Sequence, residues 1–249
     1  MSRPYLLGVA GLIIILAGAL YWFSTRDSGN SGDTTQKLQA AAAAFPNDLA
    51  KGASLGSPDA PIKMTQYEDF QCPICLGYTA GEEPAIIKEY VTTGKVQLTF
   101  KNFPLLGLES TRAASAAYCA TQQEKFWPLH DALFLIQAKA GQDTNEKKNV
   151  GRFSDENLKQ VASDVGLDRT KFDSCLDSPD TTKAVSDQQR EATGLGINGT
   201  PGFTINGTPQ QGRLSIEEWR KTLDDAYKKL TTTPTPAASA AAPTATKAP

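Results

Sequence analysis

Cys72-Pro73-Ile74-Cys75 constrains this chain more than any other feature, because it stands where a strand-like run hands over to a helical one. Residues 62–70 (IKMTQYEDF) are short and of β-type content. A helical pattern carrying Ala85, Ile86 and Tyr90 follows the motif and stops near Gly94, with Pro84 expected to kink or break it. A cysteine at a helix start meets orphan N–H groups and the positive end of the macrodipole, both of which favour an anion. Cys72 is therefore expected to have a pKa below the ~8.5 of a free thiol. Cys75 lies one turn later, within reach of the Cys72 sulfur and more buried. Pro73 suits the first turn, where its missing N–H is no loss. Such a pair can cycle between dithiol and disulfide through a mixed disulfide, with little backbone movement.

Competing chemistries are scarce. The chain has four Cys and one His. A zinc ribbon needs a second CxxC or closely spaced His, whereas 43 residues separate Cys75 from Cys119 and 55 separate Cys119 from Cys175. A bare CxxC holding a soft ion such as Cu(I) is the remaining metal option. Lys and Arg number 25 against 27 Asp and Glu, a net charge of −2, which leaves no electrostatic footprint for nucleic acid. Phosphate-loop and dinucleotide fingerprints are absent. His130 is the sole candidate for a triad histidine and reads as a helix-surface or capped residue.

The two ends read as appendages. Between Arg3 and Arg26 no residue is charged, and residues 6–23 (LLGVAGLIIILAGALYWF) are long enough to span a bilayer as a helix. Tyr21 and Trp22 sit where an interfacial belt would lie. Residues 1–23 are thus a signal anchor or transmembrane helix, or a cleaved signal peptide with Ala17-Gly18-Ala19 as its site. Residues 24–54 read as a flexible linker and lead-in, and residues 231–249 (TTTPTPAASAAAPTATKAP) as a disordered tail.

The core between them is α/β. Residues 95–103 (KVQLTFKNF) alternate Val96, Leu98 and Phe100 with polar neighbours, giving a second strand. From 110 to 197 the period is helical: Ser110 can cap a helix bearing Ala113 and Ala117, Ser154 caps another, and Gly166 and Gly194 are stops. Asn206-Gly207 predicts a type I′ hairpin between Phe203-Thr204-Ile205 and Pro209-Gln210-Gln211. Ser215 and Glu218 form a capping box for a last helix carrying Ile216, Trp219, Leu223 and Tyr227. An open sheet with a parallel β-α-β unit, an antiparallel hairpin and a helical insertion fits this order.

At this point the chain resembles the DsbA-like branch of the thioredoxin superfamily. The residues that carry the likeness are Tyr67-Glu68-Asp69-Phe70-Gln71-Cys72-Pro73-Ile74-Cys75 and, about 125 residues later, Gly199-Thr200-Pro201-Gly202-Phe203. The resemblance covers about residues 55–230. It implies a thioredoxin fold in two parts, 55–109 and 198–230, around an inserted all-helical subdomain at 110–197. It also implies that Cys72 is the nucleophile, Cys75 the resolving thiol, Pro201 a cis-proline opposite the pair, and Thr200 a backbone contact for substrate peptide. Two departures stand out. Ile74 occupies the position where the best-known members carry His, so a milder oxidant is expected. Gln66 stands where the family often buries a carboxylate, leaving Glu68 as the nearest substitute if no bulge intervenes.

Four cysteines allow three pairings. If Cys72 and Cys75 are the redox pair, Cys119 and Cys175 remain, and the resemblance implies a second disulfide in the insert; two buried free thiols are the alternative. The function expected is an exported, membrane-tethered thiol-disulfide oxidoreductase acting on reduced or unfolded secreted proteins, its domain on the extracytoplasmic side of a cell membrane. An integral-membrane redox partner is implied, and no organic cofactor. A reductase or isomerase, and a metal-binding module on the same fold, are the alternatives.

Overall fold

β3 (Ile62–Glu68) occupies the centre of a six-stranded sheet, with parallel β4 (Val96–Asn102) on one side and antiparallel β5 (Gly202–Ile205) on the other. The computed structural model describes residues 31–232. Two short strands, β1 (Ala50–Lys51) and β2 (Ser54–Leu55), extend the sheet beyond β4, and β6 (Thr208–Gln211) closes the opposite edge. β4 buries Val96, Leu98, Phe100 and Asn102 in strict alternation. Pro209 lies on the outermost strand, where its missing N–H breaks no ladder.

α2 (Pro73–Ile86) connects β3 to β4. Pro84 lies inside it without ending it. The departure from α geometry comes afterwards, at residues 87–91, where a wider turn sends Thr92 N–H to the Ile87 carbonyl and Lys95 N–H to that of Tyr90, both at 2.9 Å. Between β4 and β5 the chain is helical: α3 (Leu108–Thr121), α4 (Phe126–Lys139), α5 (Asp155–Asp164), α6 (Arg169–Leu176) and α7 (Pro179–Gly194). Ser154 and Asp168 cap α5 and α6 through the backbone N–H groups of Asn157 and Lys171. The hairpin turn has positive φ at Asn206 and Gly207, as a type I′ turn requires. α8 (Ile216–Thr232) begins with the reciprocal Ser215–Glu218 box. It seats Trp219 and Leu223 in the main core, each burial stabilising by roughly 1.5–3 kcal/mol.

Several expectations are corrected. The linker reading of residues 24–54 fails from residue 31 onward: α1 (Ser31–Ala43) packs on α2 and α4 with Leu38 buried, and β1 and β2 belong to the sheet. An alanine-rich run suits a tether and a helix alike, since alanine is the best helix former, and packing decides between them. α8 runs two residues into the expected tail. Ser110 lies inside α3, whose N-cap is Gly107 at φ 108°. His130 is no surface residue: it is fully buried among Phe70, Phe100, Phe126, Trp127 and Phe134, with Nδ1 2.9 Å from Asp131 Oδ1. The expected signal anchor at 1–23 lies outside the described residues. Among the described residues no helix is long and apolar enough to cross a membrane.

Candidate active site

Cys72 is the N-cap residue of α2, with extended backbone (φ −75°, ψ 121°), and Pro73 takes the first helical position. The sulfur therefore faces the helix's unpaired N–H groups, and the Cys75 N–H donates to it at 3.5 Å. Contact with the Cys75 thiol lowers the Cys72 pKa most; burial opposes this, and the Thr200 side chain with the N–H groups of Cys75 and Ile74 adds to the lowering, leaving it at about 7. Cys75, fully buried on the next turn, is pushed the other way by burial, by Cys72 and by the Glu68 carboxylate. Both are free thiols. The two sulfurs are thus made electrostatically unequal by less than one helical turn.

The Thr200–Pro201 peptide bond is cis. It brings the Thr200 carbonyl 3.4 Å from the Cys72 sulfur, whose S–H donates to it. Gly202 follows because the Ile197 side chain occupies the space a Cβ would need. The loop before Cys72 is equally fixed. Asp69 accepts from the backbone N–H groups of Gln71, Leu105 and Leu106 at 2.7–2.9 Å. The Gln71 amide donates to Ser110 Oγ at 2.8 Å and its oxygen accepts from Asn149 N–H at 2.8 Å. These contacts tie the helical insertion to the CxxC turn.

Beneath the thiols lies a buried polar stripe. The β3–β4 register runs unbroken from Ile62 to Glu68, so Gln66 and Glu68 share a face. Glu68 is buried beside Cys75 and Thr79, with neither carboxylate oxygen in hydrogen-bonding geometry. Burial, then the nearby Glu83 and Cys72, push its pKa well above the usual carboxylate range. Glu83, which sequence reasoning missed, accepts from Gln66 Nε2 at 2.6 Å; burial raises its pKa against the opposing pull of His130 and Gln66. Its signal was available: Cys75, Thr79 and Glu83 recur every four residues and so share one helix face. A cavity of about 600 Å³ between α1 and the back of α2 is lined by Thr79, Glu83, Leu38, Phe45 and Ile87, away from the Cys72 turn.

The other two cysteines lie in the insertion. Cys119 on α3 and Cys175 on α6 are joined by a disulfide, with Cα atoms 5.8 Å apart. The Thr181 hydroxyl lies 3.3 Å from the Cys175 sulfur and donates to the Cys175 carbonyl at 2.7 Å. Among the described residues no group of three or more His, Cys, Asp or Glu side chains could hold a metal ion.

The thioredoxin family model matches residues 48–225. A probable disulfide bond formation protein D of Bacillus cereus is 31% identical over 183 residues, which span 71% of this chain and 79% of that protein. A thioredoxin-like oxidoreductase from Silicibacter pomeroyi superposes with a TM-score of 0.58 at 26% identity, covering 74% of this chain and 94% of the other. Alpha-DsbA1 of Wolbachia pipientis shares the fold, with a TM-score of 0.60 at 24% identity over 75% of this chain and 98% of that one.

Proposed function

Since the chain belongs to the thioredoxin family and is a DsbA-like protein disulfide oxidoreductase, we propose that it uses Cys72 and Cys75 to introduce disulfides into reduced or unfolded secreted proteins, from a membrane-tethered position outside the cytoplasm. The observation that carries this reading is the inequality of the two thiols: Cys72 at about 7, Cys75 raised by burial, and the cis Thr200–Pro201 bond against the former.

In the oxidised protein, a substrate thiolate attacks the Cys72 sulfur and breaks the Cys72–Cys75 bond. Cys75 leaves as a thiolate and takes up a proton, because its buried site disfavours the charge. Glu68, whose pKa burial pushes well above the usual carboxylate range, lies beside Cys75 and is the adjacent proton-exchanging group. A second substrate thiolate then attacks the mixed disulfide. It releases the substrate disulfide and leaves Cys72 as the thiolate that its surroundings stabilise. The substrate loses two electrons and the Cys72/Cys75 pair gains them. Reoxidation falls to an integral-membrane redox partner.

The substrate class is supported by the surface. Among the exposed large apolar side chains, Ile74 lies between the two cysteines, the Leu105 N–H donates to Asp69, and Leu108 and Val150 adjoin in sequence Glu109 and Asn149, which bond to each other. Exposed apolar side chains so placed suit an unfolded chain with apolar residues flanking its cysteine. Export is supported by the Cys119–Cys175 disulfide, a bond that persists in oxidising compartments, and by the apolar run at residues 6–23. A Cys72 pKa near 7 rather than ~3.5 also favours a second reading, a milder oxidant or a reductase. The reduction potential decides: near −120 mV supports oxidation of substrates, near −270 mV their reduction. Disulfide transfer to a reduced protein, compared between the wild type and Cys72→Ser, tests the mechanism, and activity in the variant would reject it.

A further inference from the structure

The segment that leaves β6 passes directly behind the cis-proline loop. Gly212 N–H donates to the Pro201 carbonyl at 3.0 Å. The next residue, Arg213, reaches across to α2 and forms a two-pronged ion pair with Glu82, Nε to Oε2 at 2.7 Å and Nη2 to Oε1 at 3.0 Å. Its guanidinium lies along α2 over Gly77 and Gly81. A Cβ at Gly77 would overlap Arg213 Nη1, and one at Gly81 would stand 3.0 Å from Nη2. Gly77 is two residues beyond Cys75, so this trough is in the opening turns of the helix that presents both thiols.

A lone, half-exposed ion pair contributes little to stability. This one differs in what it joins. One end is covalently next to the residue that holds Pro201, and the other sits on the CxxC helix. Glycine at both crossing points costs helix propensity, about 1 kcal/mol each relative to alanine, and makes room for the guanidinium. The planar fork fixes orientation as well as distance, which a lysine could not do.

We propose that Arg213 is a positioning residue for the exchange chemistry: it clamps the strand behind the cis-proline loop onto the CxxC helix and so sets how Thr200 meets the Cys72 sulfur. This rests on Cys72 and Cys75 being the exchanging pair. The groups acting on the Cys72 sulfur are Cys75, Thr200 and the backbone N–H groups of Cys75 and Ile74, so Arg213 reaches it through Thr200.

Position and charge can be separated by sign. In the full chain, Arg213→Gln and Glu82→Gln each break the clamp, but they remove opposite charges. Gly77→Ala displaces the guanidinium from its seat on the helix while keeping both charges. The Cys72 pKa, from thiolate ultraviolet absorbance, and the equilibrium constant with glutathione are measured for each, with circular dichroism and Tm as folding controls. The clamp requires all three variants to shift the Cys72 pKa in the same direction. It also requires the glutathione equilibrium to move by about threefold to tenfold, tenfold being ~30 mV. Arg213→Lys, which keeps the charge and loses the fork, falls between. Opposite shifts for Arg213→Gln and Glu82→Gln would mean a plain field effect and overturn the proposal. So would a lower Tm with both readouts unmoved, the mark of an ordinary surface ion pair. If Arg213→Gln does not fold, Gly77→Ala and Glu82→Gln decide by the same rule. Both readouts are equilibrium properties of the thiols, obtained whichever way electrons flow to substrate. Failure of the clamp is therefore distinct from failure of the proposed function.

Discussion

Two cysteine pairs in one chain have opposite surroundings. Cys72 and Cys75 share the first turns of one helix, where the helix end stabilises a thiolate on the first sulfur and burial beside Glu68 disfavours one on the second. Cys119 and Cys175 come from separate helices of the insertion and are closed into a disulfide next to the neutral Thr181 hydroxyl. Burial does not separate the pairs, because Cys72, Cys75 and Cys119 are all buried. What separates them is asymmetry of charge. A thiol pair is redox-active when one sulfur leaves easily and the other does not, and the strand-to-helix turn supplies that difference.

The largest expected effect breaks the pairs apart functionally. Cys72→Ser should abolish disulfide transfer, whereas the double variant Cys119→Ala, Cys175→Ala should keep it and lose stability instead. Closing the loop from residue 119 to 175 is worth about 4 kcal/mol in the chain-entropy model. Chemical denaturation and a transfer assay on both variants check this, and loss of transfer without loss of stability in the double variant would contradict it.

Next in size is the proton balance beneath the reactive pair. The folded-state pKa of Glu68 is raised, so its contribution is fully present below the unfolded value and is lost as pH rises through the folded one. Glu68→Gln should therefore weaken the fall in stability of the reduced protein as pH rises above the ordinary carboxylate range, which chemical denaturation across pH checks. Cys72 acts in the opposite sense. Its pKa is lowered to about 7, so its stabilisation of the reduced form is present above the free-thiol value and fades as pH falls through 7. Thiol alkylation rates should follow the same curve, with a midpoint near 7. A midpoint near the free-thiol value would remove the asymmetry on which the comparison rests.

Ile74 offers a smaller adjustment. It is 52% exposed, so replacement should not disturb the core. Ile74→His adds a group able to carry positive charge beside Cys72. It should lower the Cys72 pKa and make the couple more oxidising, with about a tenfold change in equilibrium with glutathione, or ~30 mV. The smallest effect is expected at the start of the last helix. Ser215→Ala removes the α8 cap and should cost about 1 kcal/mol in stability with no change in the potential.

Local rules carried much of the way from sequence to site. The strand before Cys72, the helix after it, the Asn206-Gly207 turn and the Ser215–Glu218 box each depend on a few neighbouring residues, and those residues were enough to place them. Glu83 was legible in principle, from its spacing to Cys75 and Thr79. His130 was misread because nothing beside it in sequence says that Phe70, in the turn after β3, and Phe100, on β4, would close over it. The alanine-rich run became α1 only through its contacts with α2 and α4.

The sequence by itself determined a dithiol at a helix start, because the helix N-terminus acts on its own first residue through the backbone. It also determined the α/β order with a helical insertion, since hydrophobic period and turn chemistry are written locally. Tertiary structure decided the rest. It set which carboxylate lies under Cys75, brought Thr200 against Cys72 across 128 residues of chain, and crossed Arg213 over the CxxC helix. The pKa of a buried thiol depends on every group packed around it, and those groups are assembled from distant parts of the chain only when it folds.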